Sequence, residues 1–500
     1  MISEQRIFQA YYTKSEPIVT YMIDLLDING SETIFEPCAG DGVFLDPILD
    51  KYESVKVDAY ELNIVAYNKL KTKYSDLINV SVKQTDTLTD LDLDFLCSMG
   101  GKYDAVIANP PYGAWRNIQD RASLKKRFNG FYAKESYSLF LYRSIESLNE
   151  GGKLVFIIPD TYLNLNMHKN IRKYILTNAK IKEISLFPSS YFPGVNFGYA
   201  NLSIIALEKC SNSVTSLNNS FNIYKGFKSV DELGKKELSH LTKLKFKQGD
   251  VLNNDGHIFL TSKNQNVSDS IINAKITIGD ICDCATGFYS GNDKDRLKVL
   301  SKLIRNSKRY DVVDKSKITF DCSSRPVGGI ETEKIFVPIV KGGNTKYYKA
   351  DNWFMEWSKE IVDFYKKDKK ARYQNSSYYF RKGIAVPMVS SSSITGAIIE
   401  NRLFDQSIVG IFPKDEKLIH YLLAFFNSPT CNKLIRTINP STNNSSNYIK
   451  KIPFITPNPI QKKLISENIK QIIEQVKVSQ DYDIILETEN NNTIAELYGF

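Results

Sequence analysis

Two residue types that bind metals are scarce in this chain, since its 500 residues include only 4 histidines and 7 cysteines. The histidines have no recurring ligand spacing, and among the cysteines only Cys282 and Cys284 lie close together, so the sequence predicts no metal site. An odd number of scattered cysteines also argues against a disulfide framework and is typical of reduced thiols.

Long apolar runs and targeting signals are also missing. No stretch approaches the roughly 18 consecutive apolar residues that a membrane span requires, and the N-terminus has no signal-peptide pattern. We therefore expect a cytoplasmic protein that has no membrane partner, and we expect it to be a monomer.

The length and the charge distribution indicate two domains with different partners. Five hundred residues suffice for two independent cores, at roughly 100–200 residues per domain. Residues 1–220 contain 23 Lys+Arg and 25 Asp+Glu, a net charge of −2, whereas residues 221–500 contain 42 and 31, a net charge of +11. The basic excess in the second half favours a polyanionic partner, although a soluble surface rich in lysine would look the same.

The first 220 residues alternate short apolar runs with helical patterns, which predicts an α/β fold with a parallel, doubly wound, Rossmann-like sheet. The predicted strands cover residues 33–36, 55–60, 80–82, 103–108, 154–158, 181–186 and 201–207.

The pattern changes after a tract rich in Ser and Asn at 211–222, which is typical of a linker. Short strands, Gly-rich turns and two helices, near 418–426 and 461–476, follow it and predict a mixed α+β domain. We therefore predict an α/β domain at 1–220, a linker at 221–245 and a mixed α+β domain at 246–500.

The strongest functional motif is Asn109-Pro110-Pro111-Tyr112. An exocyclic amino group is a poor nucleophile because its lone pair is delocalised into the ring. The side-chain oxygen of Asn109 and the carbonyl of Pro110 can each accept one amino hydrogen bond, which localises that lone pair and stabilises the charge that develops on attack. The prolines lack N–H groups and fix φ, and Tyr112 offers a ring face on which a base can stack, worth about 1–3 kcal/mol.

The position of this tetrapeptide also supports a functional interpretation. It directly follows the apolar run at 103–108, so it lies at the carboxyl end of a predicted strand. Open α/β sheets bind ligands at that end, which favours a binding site over a plain proline turn.

A second motif, Glu36-Pro37-Cys38-Ala39-Gly40-Asp41-Gly42, follows an earlier predicted strand. Gly40 and Gly42 permit a tight turn and a close approach of the backbone to a ligand. The third glycine of a dinucleotide fingerprint is absent, and there is no Gly-Lys-Ser/Thr sequence to hold ATP phosphates. Glu36, before the glycines, favours a cationic ligand, and Cys38 is interpreted as a small apolar filler.

Two further acidic residues follow later predicted strands. Glu61, after 55–60, can accept hydrogen bonds from two ribose hydroxyls, and Asp86, after 80–82, can accept one from an adenine amino group. Each carboxylate alone is typical of a solvated loop, but their repetition at successive strand ends favours a nucleoside-containing ligand.

In this order, the motifs resemble those of an S-adenosylmethionine-dependent DNA adenine-N6 methyltransferase of the gamma group. The matching pieces are Tyr12-Thr13 with Pro17, the motif at 35–42, Glu61, Asp86, Asn109-Pro110-Pro111-Tyr112 and Tyr191-Phe192-Pro193, within about the first 200 residues. The resemblance implies antiparallel pairing at the end of the sheet, S-adenosylmethionine as cofactor, and a C-terminal target-recognition domain that binds double-stranded DNA.

The resemblance also implies residue roles. Thr13 and Glu36 would contact the methionine end of the cofactor, Cys38, Gly40 and Gly42 would form its loop, Glu61 would bind the ribose, and Asp86 the adenine amino group. The implied catalytic residues are Asn109, Pro110, Tyr112 and Phe192. Phe192 would stack on the target base from the side opposite Tyr112, after the base has been flipped out of the duplex at a cost of a few kcal/mol. The family often has a bulky apolar residue where this chain has Thr87.

Four polar or aromatic loops in the basic half suit phosphate and base-edge contacts. They cover residues 287–296, 341–349, 390–396 and 441–450. The basic run Lys125-Lys126-Arg127 is a further candidate contact beside the flipped base. Each of these runs is also typical of a solvated surface, so the sequence predicts no recognition sequence.

Several alternatives share this motif set. Enzymes that methylate a glutamine amide, or the amino group of adenine or guanine in RNA, carry the same tetrapeptide, and RNA is the stronger of these competitors. A non-catalytic nucleic-acid-binding subunit with a methyltransferase fold would show a damaged motif, whereas both motifs are intact here.

Tyr12-Thr13 lies so near the start that we expect no preceding nuclease domain and no cleavage activity. A separate restriction endonuclease, as in restriction-modification, and an orphan methylase without one both agree with the sequence.

Overall fold

The computed structural model describes residues 15–112, 118–192, 201–262, 264–390 and 393–500. The chain divides into two units, Met1–Lys263 and Asn264–Phe500. Among the described residues, no helix combines the length and the apolar composition needed to cross a membrane.

The N-terminal unit is an α/β structure. Its described strands are β1 (Thr33–Glu36), β2 (Lys56–Glu61), β3 (Val80–Gln84), β4 (Tyr103–Ala108), β5 (Leu148–Pro159), β6 (Ala179–Phe187), β7 (Leu202–Lys209), β8 (Ser220–Lys225) and β9 (Thr242–Lys247). Its described helices are α1 (Glu16–Leu26), α2 (Leu45–Lys51), α3 (Ile64–Lys73), α4 (Leu91–Ser98), α5 (Ile118–Arg127), α6 (Tyr137–Ser147), α7 (Lys169–Asn178), α8 (Ser213–Asn218) and α9 (Gln248–Asn253).

These strands form one sheet in the order β3-β2-β1-β4-β5-β7-β6-β8-β9. The strands from β3 across to β5 are parallel to their neighbours, and β7 runs antiparallel to both β5 and β6. The predicted doubly wound sheet and its antiparallel pairing are therefore confirmed. β4 is almost entirely buried and so is the second half of β5, residues 154–159, which explains why they appear in the sequence as continuous apolar runs rather than as alternating ones.

The segment predicted as a linker, 221–245, belongs to this sheet instead. β8 pairs parallel with β6, and β9 pairs antiparallel with β8. Phe221 on β8 and Phe246 on β9 stack with ring centroids 5.6 Å apart, so the hairpin has an apolar face despite its lysines. The polar tract before it contains α8, which Asn212 caps by accepting a hydrogen bond from the Thr215 amide.

The segment after β9 is also fixed to the N-terminal unit. The guanidinium of Arg172 on α7 is fully buried and donates from Nε and Nη2 to the Gly256 carbonyl, at 3.0 and 2.7 Å. Its Nη1 donates to the carbonyls of Tyr162 and Leu165. These contacts place the division between the units at residue 263 rather than at 245.

The C-terminal unit is a mixed α+β structure, as predicted. Its described strands are β10 (Cys282–Thr286), β11 (Leu297–Val299), β12 (Phe336–Val340), β13 (Tyr347–Tyr348), β14 (Trp353–Glu356), β15 (Gly383–Pro387), β16 (Ala397–Ile399), β17 (Leu403–Phe404) and β18 (Ile408–Pro413). Its described helices are α10 (Gln265–Ile272), α11 (Ile278–Ile281), α12 (Asp293–Arg296), α13 (Lys359–Lys367), α14 (Ile419–Asn427), α15 (Pro429–Ile438), α16 (Ser446–Ile449), α17 (Pro459–Ser479) and α18 (Ile484–Tyr498).

The described strands of this unit form two sheets, in the orders β10-β18-β15-β16-β13 and β11-β14-β12-β17. Aromatic side chains contribute a large part of its hydrophobic core. Trp357 is fully buried, and the rings of Phe288, Tyr365 and Tyr379 lie within 5.9 Å of it, centroid to centroid. Helices α14 and α17 confirm the two predicted helices, and α17 begins at a capping box formed by Asn458 and Gln461.

Candidate active site

The two strongest sequence motifs leave the sheet side by side. β1 and β4 are adjacent and parallel, with Phe35 opposite Val106, and the strand order reverses between them. The glycine loop after β1 and the tetrapeptide after β4 therefore start at the same edge of the sheet. Open α/β sheets bind their ligands in the crevice at such a switch point.

The loop after β1 makes a tight turn that depends on glycine. Gly40 and Gly42 have φ values of +57° and +74°, in the left-handed region that favours glycine. A Cβ atom on Gly42 would lie 2.7 Å from Cδ2 of Leu70. The Gly42 amide donates to the Ala39 carbonyl at 2.7 Å, and the Ala39 amide donates to the Tyr60 carbonyl at 2.9 Å. The turn is thus tied to the end of β2.

Glu61, the last residue of β2, joins two of the ligand-edge loops. One carboxylate oxygen accepts from the Gly40 amide and the other from the Asn63 amide, each at 2.7 Å. Burial raises the pKa of Glu61. Each oxygen has a further lone pair, so the carboxylate is oriented by the backbone and can still accept from a ligand hydroxyl.

Glu36, the last residue of β1, is a buried carboxylate that the described part of the protein does not satisfy. It is 1% exposed, and its Oε2 has no hydrogen-bond partner among the described residues. Burial raises the pKa of Glu36 well above its ordinary value, and the negative charge of Glu61 adds to the effect. A buried acceptor of this kind suits a ligand that brings positive charge or N–H donors.

Cys38 lies in the same loop, partly buried against the hydrophobic core. Burial raises the pKa of its thiol well above the ordinary value, and Glu36 and Glu61 raise it further. The side chain is therefore a neutral thiol, which agrees with its interpretation as an apolar filler.

The loop after β3 contains Asp86 and Thr87. Asp86 is half-buried, and its Oδ1 accepts from the Leu88 amide at 3.1 Å. The Thr87 hydroxyl donates to the Pro37 carbonyl, and the Thr87 carbonyl accepts from Nε of Arg143 at 3.2 Å. Thr87 thus joins this loop to the loop after β1, while the fully buried Leu88 supplies apolar packing one position later.

The tetrapeptide after β4 is held by two neighbouring elements. The Ser136 hydroxyl donates to the Pro111 carbonyl at 3.2 Å, and the Tyr112 hydroxyl donates to the Ile157 carbonyl of β5 at 2.9 Å. Asn109 is half-buried and Pro110 is buried. Tyr112, at 2% exposure, therefore anchors the motif, a role that the sequence did not indicate, and its stacking role stays a prediction.

Phe192 lies after a short 3-10 turn, where its amide donates to the Ser189 carbonyl at 3.0 Å. It is 1% exposed and belongs to the same hydrophobic cluster as Tyr112. Its predicted stacking role stays a prediction. Thr13 and the segments 113–117 and 193–200, which follow Tyr112 and Phe192, lie outside the described residues.

The four predicted contact loops of the C-terminal unit are brought together. Lys341 donates to Asp293 at 2.9 Å, which joins the first two loops. The Ser390 amide donates to the Thr442 carbonyl at 2.9 Å, which joins the last two. Nδ2 of Asn344 lies 3.5 Å from the Ser390 hydroxyl and links the two pairs.

The structure changes the interpretation of two basic runs, at 125–127 and at 302–309. Arg127, at the end of α5, forms an ion pair with Asp94, so part of the run at 125–127 is neutralised. The segment 302–309, which the sequence analysis missed, contributes Arg305, Lys308 and Arg309 to the wall of a groove in the C-terminal unit. The charge of this segment could have indicated it, since these eight residues include four basic side chains and no acidic one.

Comparison with known sequences finds methylases similar to the N-terminal unit. Residues 41–192 match the family model of the Eco57I restriction-modification methylase. The chain is 30% identical over 187 residues to the Type II methyltransferase M.HincII of Haemophilus influenzae, covering 36% of this chain and 34% of that protein. It is 28% identical over 160 residues to the Type II methyltransferase M.AccI of Acinetobacter calcoaceticus, covering 31% and 28%. The matched region spans about a third of the length of these curated relatives.

Comparison with solved structures extends the similarity of fold. A nuclease-deletion mutant of the Type ISP restriction-modification enzyme LlaGI, in complex with a DNA substrate mimic, has a TM-score of 0.56 at 12% identity, covering 93% of this chain and 54% of that one. At such identity the likeness is one of fold. In the sequence of its N-terminal unit and in its fold, this chain is therefore similar to the methylases of restriction-modification enzymes, and the predicted resemblance to such methylases is confirmed.

Proposed function

We propose that this protein is a site-specific DNA methyltransferase that transfers a methyl group from S-adenosylmethionine to the N6 amino group of an adenine flipped out of double-stranded DNA. The observation that carries the proposal is the placement of Asn109-Pro110-Pro111-Tyr112 beside the glycine loop, at the edge where β1 and β4 end. A site for a planar amine and a site for a cationic nucleoside are thus neighbours. The similarity to Type II methyltransferases supports the same reaction class.

The residues at the carboxyl ends of β1, β2 and β3 fit the cofactor. S-adenosylmethionine, when bound, supplies a methyl group activated by a sulfonium charge. Glu36 would hold its ammonium group, because Oε2 of Glu36 is buried with no partner among the described residues. Gly40 and Gly42 would shape the loop around it through their positive φ angles. Glu61 would accept hydrogen bonds from its ribose hydroxyls, and Asp86 one from its adenine amino group.

The residues after β4 would hold the target amine. The Asn109 side-chain oxygen and the Pro110 carbonyl would each accept a hydrogen bond from one of its N–H groups, so the nitrogen lone pair is localised and the charge that develops is stabilised. No general base is required, because the proton can leave the nitrogen after transfer. Tyr112 and Phe192 would stack on the extruded base. Both rings are buried, so this stacking requires that a face of each ring becomes accessible to the base.

The C-terminal unit would supply DNA affinity and sequence choice. Asn264–Phe500 contains 34 Lys+Arg and 26 Asp+Glu, a net charge of +8, whereas Met1–Lys263 contains 31 and 30, a net of +1. The basic excess predicted for the second half is therefore retained after the division moves to residue 263. A separate restriction endonuclease would complete a restriction-modification system, and without one the protein would act as an orphan methylase.

The test is incubation with radiolabelled S-adenosylmethionine and, in parallel, genomic DNA, RNA and protein, followed by mapping of the modified base. We expect label in DNA alone, as N6-methyladenine in one short sequence. Label in RNA or on guanine would establish the alternative amino methyltransferase. Absence of transfer to every acceptor, with intact S-adenosylmethionine binding, would favour a non-catalytic nucleic-acid-binding subunit.

A further inference from the structure

The C-terminal unit contains a large open groove, which we call the basic groove. Its volume is about 1440 Å³, larger than the roughly 300–1,000 Å³ of a small-molecule pocket. Its walls come from the segment at 304–310, the segment at 339–353 and the end of α17 near Lys477. A site of this size suits an extended ligand rather than a metabolite.

The walls of the basic groove are strongly positive. Among the described residues that line it, six are basic (Arg305, Lys308, Arg309, Lys341, Lys349 and Lys477), and Asp293 alone is acidic. Asp293 is already committed, because together with Asp405 it pairs with Lys341 at 2.9 and 2.8 Å. Most of the positive charge therefore has no carboxylate of the groove wall to neutralise it.

Three of these cations are exposed and available. Arg305, Lys308 and Arg309 are exposed, and no carboxylate in the described part of the chain forms an ion pair with them. Arg309 is nevertheless held in place, since its guanidinium lies 4.9 Å from the Tyr310 ring centroid and donates to the Tyr310 hydroxyl at 2.7 Å. A positioned guanidinium loses less entropy when it binds an anion.

Lys349, another lining residue of the basic groove, donates to backbone carbonyls and not to a carboxylate among the described residues. Its ammonium donates to the backbone carbonyls of Lys341 and Gly343, at 2.6 and 3.2 Å. Burial lowers the pKa of Lys349 to about 8, although the negative charge of Asp405 acts in the opposite direction. An anion in the groove would relieve this cost, because it would favour the charged form of the lysine.

We propose that the basic groove binds the sugar-phosphate backbone of the DNA substrate, with Arg305, Lys308 and Arg309 as phosphate contacts. Duplex DNA carries a negative charge about every 1.7 Å along its axis, which matches a wall with several cations and no free carboxylate. The Lys341–Asp293 pair joins two of the four predicted contact loops at the groove wall, and these loops would contact the bases. This inference rests on the proposed function, since it assigns the partner of the same enzyme.

The experiment compares two double variants of the full-length protein. Arg305→Gln/Lys308→Gln removes two groove charges, and Lys315→Gln/Lys317→Gln removes two exposed charges of the same unit outside the groove. Binding of a fluorescent duplex is measured by anisotropy over a range of KCl concentrations. S-adenosylmethionine binding and thermal unfolding, measured on both variants, confirm that the fold and the N-terminal site are intact.

We expect the groove variant to lose at least tenfold in duplex affinity, and the slope of log Kobs against log [KCl] to become shallower by about 1.8, at roughly 0.9 per phosphate contact. The control variant keeps the slope of the wild type. Equal slopes for wild type and groove variant would overturn the groove assignment while the methyltransferase proposal stands. A wild-type protein that neither binds nor methylates duplex DNA would overturn both, and one that prefers RNA would replace DNA as the partner.

Discussion

At the residue scale, Asn109 is the side chain whose role is easiest to isolate, because its amide oxygen is proposed to act on the target amine and not on the cofactor. Asn109→Ala should lower the methylation rate by at least about 10²–10³-fold, the effect of losing one oriented group in a transition state. S-adenosylmethionine affinity, measured by calorimetry, should change less than threefold.

Asn109→Asp is the matched control, since it keeps an acceptor oxygen at the same position. We expect it to retain part of the activity that Asn109→Ala loses. Near-normal turnover in the alanine variant would contradict the role assigned to Asn109.

Glu36 gives a second prediction at this scale, on stability and its pH dependence. Burial raises the pKa of Glu36 above its ordinary value of 4.5, so the folded state holds the proton more tightly than the unfolded state does. The carboxyl group therefore makes the protein less stable as the pH rises from about 4.5 through the folded pKa. Glu36→Gln should be more stable than the wild type at pH 8 without cofactor, and this gain should shrink towards pH 5.

The same variant should bind S-adenosylmethionine at least tenfold more weakly, because a neutral amide cannot neutralise the ammonium group. Urea unfolding at both pH values and calorimetry with the cofactor measure the two effects. A variant that loses stability at pH 8, or binds the cofactor as the wild type does, would contradict this account of Glu36.

At the element scale, the loops after β1, β2 and β3 act as one assembly. Glu61 joins the first two through the Gly40 and Asn63 amides, and Thr87 joins the first and third through the Pro37 carbonyl. The proposed cofactor site thus depends on contacts between loops.

Thr87→Val tests this assembly, because valine has nearly the same shape and lacks the hydroxyl. The change leaves the Pro37 carbonyl without its donor and should destabilise the protein by about 1–3 kcal/mol, with weaker cofactor binding. Thr89→Val, at an exposed position in the same loop, is the control and should be close to neutral. Urea unfolding measures the free energy of unfolding of both variants. Equal stability of the two would show that the hydrogen bond from Thr87 to Pro37 does not stabilise the protein.

The elements also show which sequence signals were sufficient. Strands such as β4 and β7 were predicted because their buried residues form continuous apolar runs in the sequence. β8 and β9 were assigned to a linker because lysines and polar residues interrupt their apolar positions, and only the pairing of β8 with β6 and of β9 with β8 shows that they belong to the sheet. The charge run at 302–309 was overlooked because charge alone does not distinguish a binding wall from a solvated surface.

At the scale of the whole molecule, the position of the division predicts which fragments fold. A fragment that ends at residue 263 should be soluble and should bind S-adenosylmethionine, because it contains β8, β9 and the Gly256 carbonyl that Arg172 requires. A fragment that ends at residue 220 would expose the edge of β6 and leave the buried guanidinium without two of its bonds, so it should aggregate.

Solubility, thermal unfolding and calorimetric titration with the cofactor compare the two fragments directly. A soluble 1–220 fragment with full cofactor affinity would show that β8 and β9 are dispensable, and would support the shorter domain that the sequence predicts.

The sequence by itself determined where the parallel strands lie along the chain, the two motifs and the carboxyl ends of the strands at which they lie, because apolar runs and turn chemistry are local properties. Tertiary structure alone decided that Thr87 replaces an apolar contact with a link to Pro37, that Tyr112 anchors its motif on β5, and that 221–263 belongs to the N-terminal unit. Each of these depends on which distant backbone group lies opposite a side chain, and no local pattern of residues encodes that partner.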